Sequence, residues 1–480
     1  MSDTTADELD RTLDAAVAAA AGVRDRPLTE RAAWLRAAAD GLDAAADRLV
    51  PLAIEESHLA EGRLTGELKR TTFQLRLFAD EVETGAFLHA TIDHADPGWG
   101  MGPRPDLRRM LRPLGPVAVW AASNFPFAFS VAGGDTASAL AAGCPVVLVA
   151  HPGHPRLSEA TAAVLTSSLV GAGAPDGMFA LVEGQEAGVA LIQDPRVAAG
   201  AFTGSLRGGR ALFDLAAGRE APIPFYGEMG SVNPAFVTPG AAASRAAAVA
   251  EGFVGSMTLG AGQFCTKPGL LLVPEGSGLG ALVAERLQGA AGAPMLNDRI
   301  RAGYGDALRT MATHEVVEVL TGSADPAADP APTLLAVSAA ELIRDPRPLT
   351  AEVFGPTALV VEYADDEEAV SAASAFEGQL TATVHGEADE DLAAALLGVL
   401  SERAGRVLWN GWPTGVTVSY AQQHGGPYPA TTAAGTTSVG TAAMERFLRP
   451  VAYQDLPQSL LPEPLQDANP WSLPQRVDGR

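Results

Sequence analysis

Apolar residues recur at helical spacing from about residue 7 to residue 90, with polar residues between them. Stretches such as 30–49 and 68–78 have the period of an amphipathic helix. We therefore predict that this part of the chain is mainly helical. A loop rich in Gly and Pro follows at 96–106.

Beyond that loop, short apolar runs alternate with helical stretches. The predicted strands cover 116–121, 145–149, 178–182 and 198–202, and the predicted helices cover 127–142, 156–169 and 187–193. Parallel strands need a crossover connection, which is usually a helix. The alternation therefore predicts an α/β fold with a doubly wound parallel sheet.

A second alternation of the same kind begins near Asn233. Its predicted strands cover 234–237, 270–273, 357–362 and 380–385, and its predicted helices cover 241–256, 278–287 and 390–403. The tail after Met444 is rich in Pro and Leu and has no strong period. We interpret the tail as an arm that lies on a neighbouring subunit.

Length, charge and cysteine content narrow the class of protein. A chain of 480 residues exceeds what one hydrophobic core usually serves, so we expect more than one domain. Its formal net charge of −24 disfavours binding to nucleic acid or anionic membranes. With two cysteines, no basic-then-apolar signal pattern at 1–13 and an interrupted apolar window at 131–150, we expect a soluble cytoplasmic protein without a membrane span.

Cys265 is the strongest candidate for catalysis. Gly262 and Gly269 flank it and Pro268 follows it, which predicts a turn where the cysteine faces a ligand. The alternative is a small buried hydrophobic residue, as most free cysteines are. For Cys144, which opens a predicted strand, that alternative is the stronger one.

Two polar side chains are candidates to assist such a nucleophile. Glu228 precedes a glycine-bearing turn and is predicted to move freely as a general base; alternatively, it is simply solvated. Asn124 follows the predicted strand 116–121, where its amide could stabilise an oxyanion by about 3–4 kcal/mol. Taken by itself, the motif more often indicates a turn or a helix-capping Asn.

Two further motifs suit a dinucleotide. Gly204 and Ser205 lie between a predicted strand and a helix, where glycines and a helix N-terminus favour a pyrophosphate, although the spacing is not the Gly-x-Gly-x-x-Gly fingerprint. Glu352 comes just before a strand, where its carboxylate could hold two ribose hydroxyls.

Taken together, the order and spacing of these motifs resemble the aldehyde dehydrogenase superfamily from Pro113 to about Pro450. The blocks that carry the resemblance are Ser123-Asn124-Phe125-Pro126, Phe202-Thr203-Gly204-Ser205, Glu228-Met229-Gly230, Gln263-Phe264-Cys265-Thr266 and Glu352-Val353-Phe354-Gly355-Pro356. The segments at 151–155, 424–431 and 446–450 are similar to its NADP-linked branch, which contains the 2,5-dioxovalerate (α-ketoglutarate semialdehyde) dehydrogenases.

The resemblance implies a chemistry for three of these residues. Cys265 would attack an aldehyde to form a thiohemiacetal, whose oxyanion Asn124 and the Cys265 amide would hold. Hydride transfer to a nicotinamide would leave a thioester. Glu228 would then activate the water that hydrolyses it. No metal is expected.

The resemblance also implies a cofactor site and a domain plan. Gly204, Ser205, Glu352 and Phe354 would bind NADP or NAD. We expect a nucleotide-binding domain at 1–232, with 96–112 contributing to oligomerisation, and a catalytic domain at 233–426. Residues 427–480 would return to the first domain and form an oligomerisation arm, giving a homodimer or homotetramer.

Val149 departs from the family pattern. Relatives normally place there a lysine that reaches the adenosine ribose, and the following segment, 184–187, offers no other basic residue. Pro152 stands where NAD-selective relatives often have an acid, so the choice between NAD and NADP stays open. Arg207 or Arg210, at the start of the next helix, could instead reach a phosphate.

Two alternative functions remain on sequence grounds. One is an acylating, CoA-dependent dehydrogenase, in which a thiol resolves the thioester; Glu228 argues against it. The other is a cofactor-poor pseudoenzyme kept as a binding or scaffold protein, which only the missing lysine supports.

Overall fold

The computed structural model describes residues 3–24 and 26–480, and long helices open the chain as predicted. These are α1 (Ala6–Val23), α2 (Leu28–Ala44), α3 (Ala46–Ser57) and α4 (Glu61–Thr84). Two short strands follow: β1 (Thr91–Asp93) and β2 (Leu107–Pro113). Helix α1 begins at a capping box in which Thr5 and Glu8 satisfy each other's backbone N–H groups.

The first parallel sheet forms from the alternation at 116–228. In chain order its elements are β3 (Val117–Trp120), α5 (Gly134–Ala142), β4 (Val146–Val149), α6 (Pro155–Gly171), β5 (Phe179–Val182), α7 (Gln185–Gln193), β6 (Ala199–Thr203), α8 (Leu206–Ala217) and β7 (Phe225–Glu228). The strand order is β5-β4-β3-β6-β7, so the connection reverses direction between β3 and β6. Ligands bind at such a switch point, outside the carboxyl ends of the strands.

Apolar side chains alternate between the two faces of this sheet. Val146 and Leu148 share a buried cluster with α2 and α4, whereas Val147 and Val149 share another with α1. Because both faces are covered, the strands are apolar throughout, which explains why the sequence predicted them well.

The second sheet follows from residue 235 onwards. Its elements are β8 (Ala235–Val237), α9 (Pro239–Thr258), β9 (Leu270–Pro274), α10 (Leu279–Leu287), α11 (Asp298–Ala312), β10 (Glu318–Thr321), β11 (Thr333–Ser338), α12 (Ala339–Arg344), α13 (Pro346–Leu349), β12 (Thr357–Tyr363), α14 (Asp366–Ala375), β13 (Gln379–His385), α15 (Asp391–Arg403) and β14 (Ala404–Trp409). The strand order is β10-β11-β12-β9-β8-β13-β14, and only the β10–β11 pair is antiparallel.

The tail contains strands that the sequence did not predict. Strands β15 (Leu448–Gln454) and β16 (Arg476–Val477) join the earlier pair in a four-stranded sheet of order β15-β2-β1-β16. The tail is therefore anchored on its own chain by the β15–β2 ladder, although its outer residues remain exposed.

One predicted helix is wrong in its first half. The sequence predicted a helix over 127–142, but α5 begins only at Gly134. The buried carboxylate of Glu67 accepts hydrogen bonds from the backbone N–H groups of Phe127 (2.8 Å) and Ala128 (3.0 Å) and holds them in a turn.

Among residues 3–24 and 26–480, no helix is both long and apolar enough to cross a lipid bilayer.

Candidate active site

Cys265 lies in a tight loop between α9 and β9. Gly260, Ala261 and Gly262 all have positive φ, and a side chain on Gly262 would meet the Gly355 carbonyl oxygen at 2.2 Å. Only glycine fits at position 262, and an alanine in this conformation costs about 1 kcal/mol. This backbone turn brings the cysteine, predicted from its flanking glycines, against the segment that follows β3.

Asn124 is brought to the same loop. Its side-chain Nδ2 donates to the Gln263 carbonyl oxygen at 3.1 Å, two residues before the cysteine. The Asn124 carbonyl accepts from Arg63 at 2.6 Å, which fixes the backbone beneath the amide. An amide nitrogen carries two hydrogens, so a second donor remains on the Asn124 side chain at this loop.

Glu228 is not the mobile loop residue that the sequence predicted. It ends β7 with 4 % of its surface exposed, and its backbone bridges to Thr431. Its Oε1 lies 2.8 Å from His424 Nε2, and its Oε2 accepts a short hydrogen bond from the Ser438 hydroxyl. The pairing with later residues, invisible in the local sequence, holds the carboxylate in place.

His424 connects the carboxylate to the cysteine. Its Nε2 lies 3.7 Å from Cys265 Sγ as well as 2.8 Å from Glu228. In the sequence, this histidine was only part of a branch motif, and no role was predicted for it. A His followed by two glycines was the available signal, but nothing local identified its partners.

The electrostatics of the site keep the Cys265 thiol and the Glu228 carboxylate in different protonation states. Burial, together with the charges of Glu228 and Glu352, raises the pKa of the Cys265 thiol well above its ordinary value. Burial also disfavours the charged form of Glu228, but His424 and Ser438 outweigh it, so its pKa lies below the usual value. The cysteine therefore rests as a thiol beside an ionised proton acceptor.

Sulfur, nitrogen and oxygen donors converge here in a way that a metal ion could also use. Single ligand atoms of Glu228, Cys265 and His424 all lie within 4.8 Å of one another. The sequence predicted no metal. The same closeness serves proton transfer among the three groups.

Glu352 begins a loop that Lys267 holds near the site. No role was predicted for this lysine from the sequence. Lys267 Nζ donates to the carbonyl oxygens of Val353 (2.7 Å), Gly355 (3.0 Å) and Thr357 (2.7 Å). Burial lowers the pKa of Lys267 and raises that of Glu352. A side chain on Gly230 would strike the Glu352 carboxylate at 2.3 Å, so glycine leaves room for the acid.

The predicted pyrophosphate loop lies at the switch point of the first sheet. Gly204 and Ser205 follow β6, and Ser205 caps α8 by accepting from the Gly208 N–H at 3.3 Å. Both residues are exposed, and so is Arg207 in the first turn of α8. Phe354, in the lysine-bound loop (353–357, whose carbonyls Lys267 binds), is half-buried. An exposed helix N-terminus at the carboxyl end of the sheet fits a dinucleotide phosphate.

Val149 cannot supply the ammonium group that the family resemblance led us to expect at this position. It ends β4 with 7 % of its surface exposed, in an apolar cluster with Leu13 and Leu191. A Cβ on Gly188 would lie 3.5 Å from it. No cation therefore takes part at this position.

Comparison with known proteins bears on the identity of this site. The chain matches the aldehyde dehydrogenase family over residues 1–450. It is 46 % identical over 467 residues to alpha-ketoglutaric semialdehyde dehydrogenase 2 of Azospirillum brasilense, covering 95 % of this chain and 88 % of that protein. It is 41 % identical over 484 residues to the alpha-ketoglutaric semialdehyde dehydrogenase of Acinetobacter baylyi, covering 100 % and 92 %.

Solved structures share the fold at lower identity. Aldehyde dehydrogenase C of Pseudomonas syringae, complexed with NAD+ and octanal, gives a TM-score of 0.79 at 22 % identity, over 94 % of this chain and 90 % of that one. An NADP-dependent enzyme of E. coli gives 0.77 at 23 % identity, over 93 % and 90 %. The predicted fold class is confirmed, and the chain belongs to the aldehyde dehydrogenase family.

Proposed function

We propose that this enzyme oxidises α-ketoglutaric semialdehyde (2,5-dioxovalerate) to the dicarboxylate. The observation that carries the proposal is the contact of His424 Nε2 with both Cys265 Sγ and Glu228 Oε1. It joins a nucleophile to an ionised proton acceptor, as aldehyde oxidation on a thiol requires. The names of the two curated relatives support the choice of substrate.

The first step forms a bond between Cys265 Sγ and the aldehyde carbon. Because the resting thiol is protonated, its proton passes to His424 Nε2 as the bond forms, and the ionised Glu228, 2.8 Å away, stabilises the protonated ring. The carbonyl oxygen becomes an oxyanion, and the free hydrogen of the Asn124 amide and the Cys265 backbone N–H donate to it. Arg63 keeps Asn124 in place through its carbonyl.

A bound NAD or NADP supplies the hydride acceptor for the second step. Glu352 and Phe354 would hold its nicotinamide side, and Gly204 and Ser205 its phosphates. The resulting thioester on Cys265 is hydrolysed by a water whose proton Glu228 accepts, and the released Cys265 sulfur regains its proton from His424. Because the pKa of Glu228 is depressed, the carboxylate is ready to accept this proton at neutral pH.

The contacts around Glu228 favour water over CoA as the acyl acceptor. A buried, ionised carboxylate near the thioester can deprotonate an attacking water. A CoA thiol is a better nucleophile than water and needs this base less. The pseudoenzyme alternative has little support, because nucleophile, proton acceptor and oxyanion donor lie together.

We also propose a domain organisation, an oligomeric state and a cellular location for the enzyme. Residues 1–232 would bind the nucleotide and residues 233–426 would carry the catalytic loop. Residues 96–112 and 427–480 would contribute to a homodimer or homotetramer. We place the enzyme in the cytoplasm, because its chemistry needs a reduced Cys265.

The decisive experiment is direct. Purified enzyme is mixed with α-ketoglutaric semialdehyde and NAD or NADP, with and without CoA, and reduced nicotinamide and 2-oxoglutarate are measured. We expect turnover without CoA and none in Cys265→Ala, whereas Cys144→Ala, in a buried strand-end position, remains active. Activity that needs CoA, or turnover in Cys265→Ala, would contradict the proposal.

A further inference from the structure

A polar stripe on α4 faces inward rather than towards solvent. Its members are spaced by three or four residues and so share one helix face: Arg63, Glu67, Arg70 and Gln74. Only 5 % of Glu67 and 1 % of Gln74 is exposed, and both arginines are half-buried. Buried charges on a helix need partners, and the segment 124–130 supplies those of Glu67.

The guanidinium of Arg63 contacts other residues of the protein. One terminal nitrogen donates to the Asn124 carbonyl at 2.6 Å. Its guanidinium stacks on the rings of Phe125 and Phe264, 5.0 Å and 4.5 Å from their centroids. Arg63 therefore positions the oxyanion donor and the residue before Cys265.

Arg70 differs in having donors to spare. Its Nε donates to the Val416 carbonyl at 3.1 Å, but both terminal nitrogens are buried without a hydrogen-bond partner among residues 3–24 and 26–480. The neighbouring Arg406 uses its terminal nitrogens on the carbonyls of Pro413 and Gly415. A guanidinium with two parallel unpaired N–H groups has the geometry that binds a carboxylate bidentately.

Two rings, those of Phe129 and His424, separate the guanidinium of Arg70 from the nucleophile. Its guanidinium lies 5.3 Å from the centroid of Phe129, whose ring is 6.1 Å from that of His424. His424 in turn contacts Cys265 Sγ at 3.7 Å. The charge of Arg70 also interacts favourably with the carboxylates of Glu67 and Glu228. An aldehyde carbon at Cys265 and an anion at Arg70 would thus belong to one short molecule.

Resting on the proposed function, we propose that Arg70 binds the substrate carboxylate and makes the enzyme selective for short aldehydes that carry an acid at the other end. The molecule as a whole is strongly anionic, so an anionic substrate needs local positive charge to enter. Arg70 supplies it, while Arg63 and Arg406 hold the surrounding loops.

The test compares two aldehydes of equal chain length, succinic semialdehyde and the neutral butanal. In Arg70→Met we expect kcat/KM for succinic semialdehyde to fall about tenfold to over a hundredfold, mainly through KM. Activity on butanal should stay within about threefold. Arg70→Lys, which keeps the charge but loses the fork, should be intermediate. Arg76→Met is the matched control, because Arg76 is on the same helix but pairs with Asp40 and Asp43.

A second measurement separates this inference from the proposed function. Glutarate binding, followed by calorimetry, needs no turnover and should be lost in Arg70→Met but not in Arg76→Met. If wild type binds glutarate but oxidises no aldehyde, the proposed function fails and the anion site stands. Equal losses on both aldehydes, or undiminished use of succinic semialdehyde by a folded Arg70→Met enzyme, would overturn the role of Arg70.

Discussion

At the scale of single residues, the surrounding charges determine how readily the Cys265 thiol ionises. Glu228 and Glu352 both oppose its ionisation, and burial adds to them. We predict that alkylation of Cys265 by iodoacetamide rises with pH and has its inflection above the ordinary thiol value. Burial raises the pKa of Cys144 to about 11, so its peptide serves as the internal unreactive control in mass spectrometry.

In the Glu228→Gln variant, we predict the direction in which the pH of the alkylation inflection moves. Removing a negative charge stabilises the thiolate, so the inflection should move to lower pH and labelling at pH 8 should accelerate up to about tenfold, one pKa unit. An unchanged or higher inflection would show that Glu228 does not act on the thiol by its charge.

Glu228→Gln should also separate the two halves of the reaction. The variant cannot accept a proton from water, so steady-state turnover should fall roughly a hundredfold. His424 still touches the thiol, so the first turnover should remain fast and appear as a burst of reduced cofactor in stopped flow. A first turnover slowed as much as the later ones would show that Glu228 acts earlier than this proposal places it.

Val149 leads to a prediction about cofactor choice. Without an ammonium group at the adenosine ribose, we expect wild-type affinities for NAD and NADP to agree within about tenfold. Calorimetry on wild type, Arg207→Ala and Arg210→Ala tests it. Arg207 is exposed without an ion pair in residues 3–24 and 26–480, whereas Arg210 pairs with Asp214 at 2.8 Å. A strong NADP preference that Arg207→Ala removes would refute the prediction.

At the scale of elements, the lysine-bound loop before β12 links stability to the cofactor site. Lys267→Met leaves the carbonyls of Val353, Gly355 and Thr357 without their donor. We expect a local loss of about 3 kcal/mol, seen as roughly a hundredfold faster amide exchange at 351–358, and weaker dinucleotide binding. Lys69→Met, at an exposed position, is the control and should change neither.

Which elements the sequence predicts depends on how their side chains are buried. Strands β3, β4, β5 and β6 are apolar on both faces and were predicted within one or two residues. Strand β2 was missed because charge hides its pattern: Arg108, only 2 % exposed, pairs with Asp106 and with Asp467, 359 residues away. No local reading of the sequence finds such a partner.

The site follows the same rule. Cys265 and Asn124 lie where the glycines and strand ends predicted, and their catalytic roles remain predictions. His424, Ser438 and the fixed position of Glu228 were missed, because their contacts join distant segments of the chain. Motifs therefore predicted which residues gather, and tertiary contacts decide how they are oriented.

At the scale of the whole molecule, two predicted interface segments expose large apolar side chains. Trp99 is 50 % exposed, Met101 94 % and Leu460 70 %. Because such side chains favour burial, we expect light scattering to show a dimer or tetramer at micromolar concentration. Combining Met101→Glu with Leu460→Glu should lower the measured mass, whereas Val17→Glu, an exposed apolar position on α1, should not. A monomeric wild type would contradict this.

The late position of His424 and Ser438 has a consequence for synthesis on the ribosome. Cys265 precedes His424 by 159 residues, and Glu228 precedes Ser438 by 210. A nascent chain therefore carries the nucleophile long before it carries the groups that relay its proton. Until Cys265 is buried beside Glu228 and Glu352, nothing raises the pKa of its thiol, and water can deprotonate it directly. Translation order thus leaves the thiol of an unfinished molecule more open to electrophiles than the thiol of the folded enzyme.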